Sequence, residues 1–532
     1  MRSIWFAAML TMVPSTASAE WLEASSTNFV VYADDSERDL RRFTQQLELY
    51  HEAMKVLTRT DPGIPSPSNR VTVFVVKNIA EVQRIHSGRT GSGVAGFYVG
   101  RAGAAIAVVP TVQNSGATIN EYLTILLHEY AHHFLLSSSA YSSLGWMNEG
   151  GAEFLASAKF TSGGGVSLGM PNAGRFRELQ YTVNPVSAEE LLDPDLFKSR
   201  RRGMGNGFYA RSFALYHYLV MEPGRGGQMA GYSALLAQGK APRAAAEEAF
   251  GDLTELNRNL NAYLRRSRWM TFSFAPGQLT AGAVQIRRLQ PGEAEIMPVR
   301  VRSRRGVTEE LAAELVAQAR AIAARYPQDA AVLTALAEAE YDAGNDAQAI
   351  TAADAALAID PQQVNAYVQK GYALFRQADD AEDRDAALRA AVAPFVALNR
   401  LEPDHPIALQ YFYLGFLHRG REPNENAVDA LTRAVELAPF DTFLRLMLAR
   451  QQITTSQWDA ARSSLLPIAN AAHGGGLATR ARGVIDAIDA GPPSDPAQLL
   501  ARFEGAEEEE EEAGEDPGET EDRMEFFAVA TS

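Results

Sequence analysis

Hydrophobic positions change their spacing along this 532-residue chain. Near the start, "FVVYADDSERDLRRFTQQLELYHEAMKVL" gives a short strand and then a helix with apolar residues at Phe43, Leu47, Tyr50, Met54 and Leu57, steps of three and four. "RVTVFVV" (70–76), "GFYVG" (96–100) and "AAIAVVP" (104–110) read as further strands. A helix beginning near 119 contains "LTILLHEYAHHFLL" (123–136), apolar on almost every side, as expected of a helix inside a core. The glycine-rich "GSGVAG" (91–96) fits G-x-G-x-x-G, but it follows a helix and precedes a strand. A dinucleotide fingerprint needs the opposite order, so it reads as a loop.

Beyond residue 306 the chain turns alanine-rich and helical, and prolines recur at 327, 361, 403 and 439. The first interval is the tetratricopeptide (TPR) period, the second carries an insertion around "DDAEDRDA", and the third nearly restores the period. Small and large packing positions recur in phase: Ala349 and Ala356; Ala391 and Phe395; Ala427, Leu431 and Ala434; Ala461 and Leu465 after Trp458. Gly371 takes the close-packing glycine position. The stretch 307–490 therefore resembles a TPR solenoid, whose curved inner face binds extended segments or partner proteins.

The core helix poses a chemical question, because it carries His128, Glu129, His132 and His133. Two imidazoles and a carboxylate inside a core cost several kcal/mol, on the order of 2–7 per unpaired polar group, unless something satisfies them. His128 and His132 are four residues apart and so point the same way. H-E-x-x-H is the pattern of helical zinc ligation, with Glu129 as general base; the blander reading is a pair of hydrogen-bonded core histidines. His133 lies about 100° further round and is expected to be structural. A second helix, "WMNEGGAEFLA" (146–156), places Glu149 and Glu153 four apart among Trp146, Met147, Phe154 and Leu155, a setting that also reads as buried.

"HEYAH" followed by "NEGGAE" resembles the gluzincin metallopeptidases, the peptidase MA-like superfamily. The resemblance covers about residues 20–270. It implies Zn²⁺ held by His128, His132 and Glu149, with Glu153 supporting a zinc histidine. "YARSFALYHYL" (209–219) is similar to the helix whose tyrosine stabilises the oxyanion in aminopeptidase N-like members, which gives that role to Tyr209. No segment resembles the motif with which those aminopeptidases hold a substrate amino terminus, so endopeptidase action is the expectation. An extended peptide would then pair with an edge strand near "GFYVG" or "AAIAVVP". The basic loop "KSRRRGMGNG" (198–207) precedes Tyr209 and is expected mainly to be solvated.

Composition trims these readings. Residues 1–19 look like a secretory signal, with Arg2, an apolar run and "ASA", which points to a periplasmic or secreted protein. No other run is long and apolar enough to expect a membrane span. There is no cysteine, so disulfides and thiolate ligands are excluded and zinc has to sit on His and carboxylates. The net charge is −16, but the stretch from Glu504 onward carries −12 of it, which leaves −4 for the rest and nothing to favour nucleic acid. Residues 491–532 are expected to be an acidic disordered tail and 271–306 a linker with short strands.

The expected architecture is an α+β zincin-like metallopeptidase domain (20–270) followed by an all-α TPR solenoid (307–490). The expected function is an exported zinc metallopeptidase whose repeats recruit a protein substrate or partner. The alternative is a catalytically silent zinc-containing scaffold, against which Glu129 argues because a structural site needs no base. Hydrolysis of a non-peptide amide is a third reading. A chain ending near residue 300 is expected to keep zinc and to act on small peptides.

Overall fold

The computed structural model describes residues 21–504 except 93, 112–120, 138–143, 162, 201–206 and 472–474. The expected signal segment 1–19 and the acidic run 505–532 lie outside the described residues, as does most of the basic loop. The N-terminal lobe opens with strands β1 (Leu22–Ser25) and β2 (Phe29–Ala33), helix α1 (Glu37–Thr58), strand β3 (Val71–Val75), helix α2 (Ile79–Ser87), and strands β4 (Phe97–Val99) and β5 (Ile106–Val109). Ser36 starts α1 by accepting a hydrogen bond from the Asp39 amide. With β9 (Gln285–Arg288) these strands form one sheet in the order β4-β5-β3-β2-β1-β9. The β2-β3 and β3-β5 pairs are parallel and the remaining pairs antiparallel.

Alternation along the strands sorts side chains onto two covered faces. Val31, Val73, Ala107 and Val109 face α1 and helix α3 (Glu121–Ser137). Tyr32, Phe74, Ile106 and Val108 face α2 and a later helix on the other side. Burial on both faces explains why these strands read as nearly continuous apolar runs. Helix α4 (Gly145–Ala156) follows α3, then a small antiparallel sheet of β6 (Lys159–Phe160), β7 (Val166–Leu168) and β8 (Phe272–Phe274). Between β7 and β8 run α5 (Ala173–Tyr181), α6 (Ala188–Leu192), α7 (Pro194–Ser199), α8 (Phe208–Met221), α9 (Gln228–Ala237), α10 (Pro242–Phe250) and α11 (Leu253–Leu264). The pairing of α4 with α8 explains the "GG" of "NEGGAE". A Cβ at Gly150 would collide with the Ser212 carbonyl, and one at Gly151 would lie 3.3 Å from the Tyr216 ring.

The segment 271–306, expected to be a linker with short strands, carries two short strands and is built into the lobe. β8 completes the small sheet, β9 is the edge strand beside β1, and α12 (Pro291–Arg305) packs Met297 and Val301 on the second sheet face. Its signal was weak because its pairing is non-local: Gln285–Arg288 finds its partner more than two hundred residues upstream.

The C-terminal half is a TPR-like array of antiparallel helices. These are α13 (Glu309–Ala323), α14 (Ala330–Asp342), α15 (Asp346–Ile359), α16 (Val364–Asp379), α17 (Arg384–Ala391), α18 (Ala393–Leu401), α19 (Pro406–Leu417), α20 (Glu425–Leu437), α21 (Thr442–Thr454), α22 (Trp458–Ala469), α23 (Gly475–Asp489) and α24 (Ala497–Glu504). The insertion in the second interval lies where α17 and α18 take the place of one outer helix. Gly371 is needed where it stands, because a Cβ there would run into the Phe395 ring. Residues 497–504, expected in the tail, form α24, with Leu499 buried against Val484 and Ile488. No helix of the described residues is long and apolar enough to cross a membrane.

The two halves share a core, which argues against independent folding of a chain ending near 300. Tyr413, Leu414, Leu431 and Leu444 belong to the same buried cluster as α1, α3 and α4. Phe440 lies 4.3 Å from the His133 ring, centroid to centroid. Polar latches hold the seam: the amide and hydroxyl of Ser68 donate to Glu402, and the Ala102 amide donates to Asp441 at 2.9 Å. Truncation would expose that apolar surface at about 25 cal/mol per Å².

His405 is buried in this seam, its ring against Gly103. Burial pushes its pKa down to about 4; Glu402 opposes this and Arg304 adds to it. The unfolded chain binds the proton more readily, so this contribution is full above about pH 6.5 and is lost as pH falls through about 4. Relative to His405→Gln, the parent should lose roughly 1 kcal/mol per pH unit across that window in urea denaturation. A gap that stays constant from pH 7 to pH 4 contradicts neutral burial.

Candidate metal centre

Helices α3 and α4 pack side by side, with the apolar residues Leu126, Leu127, Tyr130, Ala131 and Phe134 seating α3 against the sheet. Its remaining stripe turns toward α4. There His128 Nε2 and His132 Nε2 are 3.1 Å apart, and Glu149 Oε2 lies 3.4 Å from the first and 3.5 Å from the second. Zinc with nitrogen and oxygen donors at about 2.0–2.1 Å and tetrahedral angles requires donor–donor separations of about 3.3–3.4 Å. The three edges match that requirement, and the donor set, two imidazoles and one carboxylate, suits zinc. These three side chains could hold a metal ion.

The surrounding charges favour an anionic Glu149. Burial opposes its ionisation, but hydrogen bonds from His128 and His132 outweigh burial and hold the carboxyl well below its usual range. Burial likewise disfavours a charged His128, while the hydrogen bond to Glu149 and the fields of Glu153, Glu129 and Glu149 raise its pKa.

Around the triangle stand the other residues expected from sequence. Glu153 Oε1 is 3.5 Å from His128 Nδ1, the ring nitrogen turned away from the triangle. Glu129 lies outside the triangle and is partly buried, and its charge is felt by both His128 and Tyr209. Tyr209 sits in the first turn of α8, which Gly207 opens with a left-handed φ of 74°. Burial, with Glu149 next, pushes its hydroxyl up to about 12 against the opposing field of Arg175; like any tyrosine it is a hydrogen-bond donor at neutral pH.

His133 points elsewhere. Its Nδ1 is 2.6 Å from the Tyr98 hydroxyl, it stacks on Tyr130, and burial lowers its pKa to about 3. Of the two strands expected to offer a free edge, β4 lies at the edge of the sheet and β5 is interior. Arg200 of the basic loop reaches toward buried Glu190 at 3.5 Å.

Sequence reasoning missed Arg175. Its Nη2 donates to Glu153 at 2.6 Å, its Nη1 to Glu178 at 2.9 Å, and its guanidinium lies 4.9 Å from the Tyr209 ring centroid. It therefore ties the carboxylate behind His128 to the tyrosine. It sits on α5, a helix with no buried residue, and such a position leaves no periodic signal.

No protein-family model matches the chain, and no curated protein matches it. Among solved structures it is similar to a thermophilic TPR protein from Thermus thermophilus, with 19% identity over 32% of this chain and 89% of that one, at a TM-score of 0.29. The repeat array is identified by its own helix pairing.

If the triangle holds zinc, the purified protein should carry about one equivalent, and His128→Ala, His132→Ala or Glu149→Ala should each release most of it without unfolding the chain. Metal analysis after gel filtration reads this out. Full zinc retention in both histidine variants contradicts the assignment.

Proposed function

We propose that the protein is an exported zinc-dependent metallopeptidase of the gluzincin type, an endopeptidase, with a zincin-like N-terminal lobe and a repeat array that recruits its protein substrate or a partner. The observation that carries this reading is the triangle of His128, His132 and Glu149 with Glu129 one residue from the first imidazole. When bound, zinc supplies Lewis-acid chemistry, polarising an amide carbonyl and making water acidic near neutral pH.

The chain's own groups would do the rest. The Glu129 carboxylate would accept a proton from the attacking water and later pass it to the leaving amine. The Tyr209 hydroxyl would donate to the carbonyl oxygen as negative charge develops there. Glu153, anchored by Arg175, would accept a hydrogen bond from the Nδ1–H of His128 and fix the ring so that Nε2 faces the triangle. A substrate strand would lie along the open edge of β4.

A non-catalytic scaffold would have no use for a carboxylate beside the site or for a tyrosine hydroxyl near it. Tyr209→Phe preserves the ring under Arg175 and removes one donor. Its turnover number should fall roughly a hundred- to a thousand-fold with little change in the Michaelis constant, and Glu129→Gln should be more severely impaired. Quenched-peptide kinetics with zinc-loaded protein measure both. Parental turnover in Glu129→Gln would refute the peptidase reading.

A further inference from the structure

Arg175 is the side chain through which α5 reaches the candidate metal centre. None of the nine residues of that helix is buried, Leu179 packs on the core only in part, and Phe176 and Tyr181 stand open to solvent. Little apolar burial therefore holds α5 in place. A polar tie carries more of that task than it does elsewhere in the lobe.

Two local contacts fix the guanidinium. Asn172 caps the helix by accepting a hydrogen bond from the Arg175 amide at 2.8 Å, which sets Arg175 in the first turn. Glu178, one turn further on, accepts from Nη1 at 2.9 Å and so restricts the fork. Nη2 then crosses to Glu153 Oε1 at 2.6 Å, the same oxygen that lies 3.5 Å from His128 Nδ1.

Glu153 is 7% exposed, and among the described residues Arg175 is the one arginine or lysine paired with it. Removing one partner of a buried ion pair leaves the other charge uncompensated. Here that charge belongs to the carboxylate beside His128. The same guanidinium lies 4.9 Å from the Tyr209 ring centroid, within cation–π range. Its field at the Tyr209 hydroxyl opposes those of Glu149, Glu153 and Glu129.

We infer that Arg175 is a positioning residue for this centre, acting on metal retention through Glu153 and on turnover through Tyr209 without being a ligand itself. A solvent-facing helix is then part of the machinery. The inference rests on the metal-centre reading, and its link to turnover rests also on the peptidase reading. Because α5 buries no residue, replacing Arg175 removes a charge and no core packing.

The metal half is measured without catalysis, by chelator competition for zinc on the full chain, as a double-mutant cycle. Arg175→Gln should weaken zinc binding about tenfold, at the low end of the roughly 10–100-fold effect of groups that orient a metal ligand, and Glu153→Gln should weaken it at least as much. With Glu153 already replaced, adding Arg175→Gln should change the affinity by less than about twofold. Parental affinity in Arg175→Gln overturns the inference. So does a double variant in which the two losses multiply, because Arg175 would then act on the metal by another route. Arg175→Lys places a point charge against Glu153 and should recover affinity to within about threefold of the parent; a lysine variant as weak as the glutamine one counts against the ion pair.

Turnover is read on zinc-saturated protein. Arg175→Gln should lower the turnover number about tenfold with little change in the Michaelis constant, and most of that loss should vanish in a Tyr209→Phe background. An equal loss in both backgrounds overturns the link to Tyr209. A parent that binds zinc and cleaves no peptide removes the peptidase reading alone, and the zinc cycle still decides for or against Arg175. A parent that binds no zinc overturns both.

Discussion

The close approach of α4 to α8 is the constraint on which the rest depends. Gly150 and Gly151 allow it, because any side chain at Gly150 meets the Ser212 carbonyl. Wedged between α8 and α3, α4 has one position, and in it Glu149 faces His128 and His132 while Glu153 stands behind His128. The same packing sets the first turn of α8, and so Tyr209, beside the carboxylates. Polar groups from four helices thus converge in a site walled by core residues. Such a cluster is stable only when its members satisfy one another or share a ligand.

Much of this could be read from the chain. A four-residue step between imidazoles fixes their common face whatever the tertiary structure, and a helix apolar on every other side has to be buried. The repeat period was legible because each helix pair meets the same neighbours, so Ala349, Ala427 and Ala461 recur in phase and are fully buried. What escaped depends on distant partners. β9 is a strand because β1 is free to pair with it, α12 is polar and carries Pro298 yet covers a sheet face, and α24 is held by Leu499. Arg175 matters only through Glu153 and Tyr209, from which it is separated in sequence.

The seam between the halves changes how the array is understood. A solenoid joined by a free linker would carry partners at a distance; this one lends Tyr413, Leu431 and Phe440 to the core that seats α3. Its inner surface faces the back of the sheet, so whatever it holds lies across that sheet from the histidines. In the proposed function, recruitment and cleavage fall on opposite faces of one body, with His133 packed against Phe440 where the two halves meet.

In the proposed function, two imidazoles and one carboxylate hold zinc with a position left open for chemistry. Zinc K-edge X-ray absorption on protein loaded with one equivalent tests it directly. About four nitrogen and oxygen donors at about 2.0–2.1 Å, with the outer-shell scattering of two imidazoles, are expected. A six-coordinate oxygen shell without imidazole scattering would contradict it.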